Sequence, residues 1–308
     1  MLLNNLSYFL KNKKLCRTVI ILSTAVSFNW RSSQAIATTS HHHPQHQHLP
    51  TSETKNTHSA DVFKTQLAKS KSQTMHVLIN GGVHANEKYS PVFVKWLKER
   101  YNSKRSILNK LPFDASFDFV PLMNTSGYKN QNRLNSNQVN LNRNFPVLWG
   151  MSKENPGKAP ASEIETKKLM NLFQKRSYDL AIDVHGYVNW IVLPSSPKLL
   201  ESLTKMKVSS KESQIYLEWK KETKKNMSIL GRYDLKTAGG LGDGGSFEDY
   251  AFWGEGVLSL CLEMTRDVFS DEKRLSNFLT YEKFIHASIL SAYKLKGTNN
   301  KLLVDRAQ

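Results

Sequence analysis

Cysteine is almost missing from this sequence: Cys16 and Cys261 are the only two among 308 residues. Cys16 falls in an N-terminal segment that reads as removable, so Cys261 would stand alone and no intramolecular disulfide is expected. Cys261 lies in the apolar run 257–262 and reads as a small buried hydrophobe. Long hydrophobic runs are missing as well. The apolar stretch 18–28 is about half the ~20 residues that a spanning helix needs. A mean hydropathy of −0.48 excludes a multi-span membrane protein. Acidic side chains are scarce, with 26 Asp and Glu against 43 Lys and Arg, a net charge of +17. Such a surplus attracts anionic partners, whether nucleic acid, anionic lipid or cell-wall polymer. The lysines are scattered along helices without interleaved aromatics, so nucleic acid is not an expected partner.

What is present begins with the N-terminus. Residues 1–37 carry Lys11, Lys13, Lys14, Arg17 and Arg31 and no acid. A basic segment, then the apolar stretch 18–28, then Ala35-Ile36-Ala37 make the pattern of a secretory signal peptide over 1–37. A secreted or periplasmic protein without a stable membrane span is therefore expected. The remainder still holds 38 basic and 26 acidic residues, a net charge of +12. Residues 38–60 are polar and contain His41, His42, His43, His46 and His48. This stretch reads as a disordered His-rich segment that is either simply solvated or captures metal loosely, with no catalytic role.

From residue 61 onwards, strand and helix patterns alternate. Residues 75–80 form a short apolar strand pattern stopped by Gly81-Gly82. Further strand patterns cover 116–122, 180–184, 190–193 and 256–262. Helical spacing covers 89–101, 162–176 with an opening Ser-x-x-Glu capping box, 210–230 and 281–295. No internal repeat or second domain is visible. The expectation is one α/β domain, 61–308, with a mixed, mostly parallel sheet flanked by helices.

The chemistry-bearing residues gather at the ends of these strands. His84 and Glu87 follow the first strand, and zinc accepts imidazole nitrogen and carboxylate oxygen. His-x-x-Glu alone arises often by chance. A catalytic zinc needs a third protein ligand and an open position. His185, after the strand 180–184, fits that place, although in isolation it reads as a core histidine. Glu263 follows a fully apolar run, where an unpaired carboxylate is costly and so calls for a partner or a purpose. It fits a general base. Arg133 and Arg143 lie in an Asn-rich loop with Asn140, Asn142 and Asn144. Their planar guanidinium forks suit a substrate carboxylate or an oxyanion, and the same loop is also ordinary turn material.

Taken together, these segments resemble the M14 family of zinc carboxypeptidases across roughly residues 72–295. The order agrees: His84-x-x-Glu87, then Asn142-Arg143-Asn144-Phe145, then Asp183-x-His185, then a glycine-rich stretch leading to Glu263. The resemblance implies one zinc ion held by His84, Glu87 and His185, with Glu263 as general base and acid. It implies Arg133 polarising the scissile carbonyl and Asn142 and Arg143 clamping the substrate's terminal carboxylate. The implied reaction is hydrolysis of a C-terminal peptide bond by a metal-activated water. Counting back from Glu263 puts Glu248 or Asp249 beside the specificity pocket, where an acid favours a basic terminal residue.

Two positions depart from the family pattern. Asn140 stands where an Asp normally orients the first zinc histidine, and Leu241 stands where many members carry a capping Tyr. Alternative readings are an amidase of cell-wall peptides next to diaminopimelate, a non-catalytic zinc-binding module, and a surface-binding protein with structural zinc. The expected partner is a peptide or muropeptide, and the expected state is a monomer.

Overall fold

The computed structural model describes residues 74–239 and 242–298. The expected signal peptide, the His-rich segment and Leu241 lie outside the described residues. All described elements belong to one compact unit. Six strands form a single sheet: β1 (Met75–Gly81), β2 (Ala115–Val120), β3 (Leu180–Gly186), β4 (Trp190–Leu193), β5 (Asp234–Thr237) and β6 (Leu258–Met264). Around them run helices α1 (Tyr89–Asn102), α2 (Thr125–Lys129), α3 (Ile164–Lys175), α4 (Pro197–Leu203), α5 (Ser210–Asn226), α6 (Phe247–Asp249) and α7 (Asp271–Thr298). The strand order is β2-β1-β3-β6-β4-β5, and only the β4–β6 pair is antiparallel. The mixed, mostly parallel sheet expected from the sequence is therefore present.

Period-2 alternation sorts the central strands into two faces. Val77 and Ile79 of β1, Leu180, Ile182 and Val184 of β3, and Leu258, Leu260 and Leu262 of β6 enter the larger core cluster. There they meet Phe93, Val94 and Leu97 of α1 and Phe278, Tyr281, Phe284, Ile285 and Ile289 of α7. Leu78 and Ala181 join a second cluster with Phe145, Phe173 and Phe247. On that second face the register places Asn80 beside Asp183, Asp183 beside Cys261, and His185 beside Glu263. A parallel sheet covered on both sides leaves little room for polar groups. Those it retains here lie together near the carboxyl ends of β1, β3 and β6.

Several boundaries differ from the sequence reading. The capping box expected at Ser162 is not used, because α3 has Glu163 at its N-cap without a side-chain cap bond. The Ser162 hydroxyl instead faces Asn144 Nδ2 at 3.0 Å and Glu163 Oε1 at 2.6 Å. A capping box does form at α5, between Ser209 and Glu212. Helix α7 starts ten residues before the expected 281. Glu263 lies within β6 rather than after it.

Candidate active site

His84 and Glu87 occupy the turn that joins β1 to α1. Gly82 takes φ +66°, a left-handed conformation that glycine adopts without strain. A Cβ on Gly81 would stand 2.8 Å from Val94 Cγ2 and 2.9 Å from Ser90 Oγ. The turn is thus pressed against α1. Ser90 fixes it further: its hydroxyl accepts from Gly82 N at 2.8 Å and donates to Val184 O of β3 at 2.5 Å. Glu87 N donates to His84 O at 3.0 Å, so both side chains leave the same tight turn.

They converge with His185. His84 Nδ1 is 2.9 Å from Glu87 Oε1 and 3.0 Å from His185 Nδ1, and Glu87 Oε2 is 3.2 Å from His185 Nδ1. All three are buried, at 3%, 6% and 1% exposure. The other imidazole nitrogens are already committed. His84 Nε2 faces Asn140 Oδ1 at 3.0 Å, and His185 Nε2 faces Asp183 Oδ2 at 2.7 Å. Asp183 is itself held by Asn80 Nδ2 at 2.9 Å. Asn140 therefore accepts the hydrogen bond that an Asp would accept, but without the charge. The two Nδ1 atoms stand 3.0 Å apart beside the Glu87 carboxylate, a donor set that a shared cation would satisfy. Three buried His/Glu/His donors, each oriented by an outer partner, fit zinc with a position left open.

Charge acts on the group in opposing directions. Burial lowers the His84 pKa, only partly countered by Glu87. Burial pushes Glu87 upward, but the His84 and His185 imidazoles hold it well below the usual carboxylate range. His185 is raised well above its ordinary value by Asp183 and Glu87 despite its burial. Glu263 stands opposite His185 in the ladder, and its Oε2 is buried without a partner. Burial pushes its carboxyl up to about 7.

The remaining expected residues fall into two groups. Arg133 reaches the centre, with Nη1 2.9 Å from His84 Nδ1 and 3.2 Å from Glu87 Oε1. Asn142 is fixed in place through its Oδ1, which accepts from Phe247 N at 2.8 Å. Arg143 is buried and paired with Glu154 and Asp243. Of the two acids considered for the specificity pocket, Asp249 accepts from Ser195 N at 2.6 Å and Ser195 Oγ at 2.9 Å. Glu248 keeps Oε2 buried and unpartnered, with His185 and Asp183 among the charges it feels. Burial pushes Glu248 up to about 8 and Asp249 up to about 7.

Sequence reasoning gave no role to Asn80, Ser90, Glu154 or Asp243. The first two follow from strand pairing and helix docking, which a single sequence does not display. Asp243 carried a local signal in the glycines around it, Gly242, Gly244 and Gly245.

The sequence and the fold have relatives among known proteins. The profile of a family described as zinc carboxypeptidase, Peptidase_M14, matches residues 17–288. Mast cell carboxypeptidase A of Mus musculus is 28% identical over 161 residues, which are 43% of this chain and 38% of that protein. The aligned stretch thus spans well under half of that relative's length. Bovine thrombin-activatable fibrinolysis inhibitor, solved in complex with tick carboxypeptidase inhibitor, superposes with a TM-score of 0.55 at 20% identity, covering 74% of this chain and 84% of that one. A metallo-carboxypeptidase from Burkholderia cenocepacia gives 0.50 at 19% identity, covering 73% and 58%. At such identities the two structures speak for the fold, whereas the profile covers most of the sequence. This chain belongs to the zinc carboxypeptidase family, Peptidase_M14.

Proposed function

We propose that this protein is a zinc carboxypeptidase that holds one zinc ion through His84, Glu87 and His185 and releases C-terminal residues from peptides. The observation that carries this reading is the convergence of three oriented donors with the unpartnered Glu263 carboxyl beside them. Zinc in such a place supplies Lewis acidity toward a water and a carbonyl oxygen. Glu263 takes the proton from the attacking water and passes it to the leaving nitrogen. Its carboxyl, pushed up to about 7, suits both steps near neutral pH. Arg133, 40% exposed at its side chain and beside Glu87, is placed to meet charge developing on the carbonyl oxygen. Arg143 and Asn142 bind the terminal carboxylate. A basic terminal side chain entering the pocket would draw the proton from Glu248 and pair with its carboxylate, so Glu248 gives the pocket a preference for such residues.

The pattern of residues 11–37 supports export, so the reaction is assigned outside the cytoplasm. A net charge of +12 beyond that segment suits an anionic wall and keeps cell-wall peptides within the substrate range. The test is to load the full chain with zinc, count the bound metal, and incubate it with free-acid peptides and muropeptides, reading products by mass spectrometry. Loss of single C-terminal residues, abolished by chelator and by Glu263→Gln, supports the proposal. Cleavage of muropeptides alone moves the assignment to a cell-wall amidase. A bound zinc without turnover of either substrate overturns it.

A further inference from the structure

Arg143 has almost no hydrogen-bonding capacity left for a substrate. A guanidinium carries five N–H donors. Nε donates to Ser152 Oγ at 3.3 Å, and Nη1 donates to Asn142 O at 2.8 Å. Nη2 donates to Glu154 Oε2 at 3.0 Å and to Asp243 Oδ1 at 2.5 Å. One N–H on Nη1 remains, whereas a bidentate carboxylate contact needs two parallel donors. The two acids are not equivalent. Glu154 is an exposed side chain at 61%, while Asp243 is 23% exposed. The charges acting on Asp243 are Arg143, Glu154, Arg133 and His185, the last two being residues of the metal centre.

The chain around Asp243 is built for close approach. Gly245 N donates to Val147 O at 2.9 Å, and Phe145 N donates to Gly245 O at 3.0 Å. A Cβ on Gly245 would lie 2.3 Å from Arg143 O, so only glycine lets the segment run against the Arg143 backbone. Gly242 and Gly245 both take positive φ, at +76° and +75°. Asp243 thus stands between two backbone pivots, one step from a segment zipped to residues 145–147.

We infer that Asp243 is an internal stand-in for the substrate's terminal carboxylate, occupying Arg143 in the resting protein and leaving it when that carboxylate binds. The inference rests on the reading of Arg143 as the carboxylate clamp. Its consequence is selectivity. A terminal residue must gain contacts elsewhere in the site to displace Asp243, so weakly held peptides are turned away.

The test uses calorimetry on the zinc-loaded full chain carrying Glu263→Gln, so that ligands are not consumed. The probes are one N-blocked tripeptide ending in lysine, as the free acid and as the C-terminal amide. Asp243→Ala should tighten free-acid binding about tenfold, the scale of one charge-assisted hydrogen bond, and leave the amide unchanged. Asp243→Asn should tighten it less, and being isosteric it covers the case in which the alanine variant does not fold. With Glu263 restored, KM should fall while kcat holds. Discrimination of acid from amide that is unchanged or weakened in both variants overturns the stand-in alone, and Asp243 is then a positioning residue for Arg143. Failure of every protein to distinguish acid from amide overturns the clamp reading and the stand-in with it.

Discussion

The two halves of the site differ in how well their polar atoms are satisfied. At the centre of His84, Glu87 and His185, both Nε2 atoms are tied off outward, the two Nδ1 atoms stand 3.0 Å apart facing Glu87, and Glu263 Oε2 is buried without a partner. At Arg143, four of the five donors are already engaged. Unsatisfied buried atoms are costly, so the first half is organised around something that arrives. The second half is stable as it stands and yields only by exchange.

The largest break in that contrast comes from Glu263. Glu263→Gln should lower kcat by about 10²–10⁴-fold while zinc content stays at one per chain. A variant that loses its metal in step with its activity would show that Glu263 belongs to the coordination rather than to proton transfer. Next comes Asn140, which ties off His84. Asn140→Ala should weaken zinc affinity by ~10–100-fold in a competitive chelator titration, and Asn140→Asp should strengthen it. Equal affinities for all three proteins would remove Asn140 from the description of the centre.

Glu248 sharpens the comparison on the substrate side. Glu248→Gln should reduce the preference for Lys- over Phe-terminated peptides about tenfold, the scale of one buried charged contact. An unchanged ratio sinks its role in the pocket. The smallest effect is on stability. Asp249 is pushed up to about 7 by burial, so the folded protein keeps a proton that the unfolded chain releases near pH ~4. The contribution is fully present below about pH 4 and is lost as pH rises through about 7, at up to ~1.4 kcal/mol per pH unit. Urea unfolding from about pH 5 to pH 7 should therefore show falling stability, with a shallower slope in Asp249→Asn. Identical slopes would refute the assignment.

The legible part of the molecule was its central ladder. The largely apolar runs at 75–80 and 180–184 are strands because the sheet is covered on both faces, and they carried His84 and His185 to one place. Strand β5, Asp234–Thr237, stayed hidden because its four residues include exposed Asp234 and half-buried Lys236, an edge pattern indistinguishable from loop. The early start of α7 was hidden by a polar first turn, Asp271-Glu-Lys-Arg274, which suits a helix N-terminus but shows no apolar period. In the site, the metal donors were readable because their spacing reflects coordination. The pairing of Arg143 with Asp243 joins residues a hundred positions apart, and nothing local announces it.

Glu263 sits inside β6, directly across from His185. Its neighbours Leu262 and Met264 point into the opposite, greasy side of the sheet. Sliding β6 by a single step would therefore withdraw the carboxyl from the cleft and push a leucine or methionine into it. Enzymes that carry their base on a loop can drift by fractions of an ångström and lose activity gradually. Here the base is indexed like a tooth on a rack, so a one-residue slip of β6 removes it outright rather than by degrees.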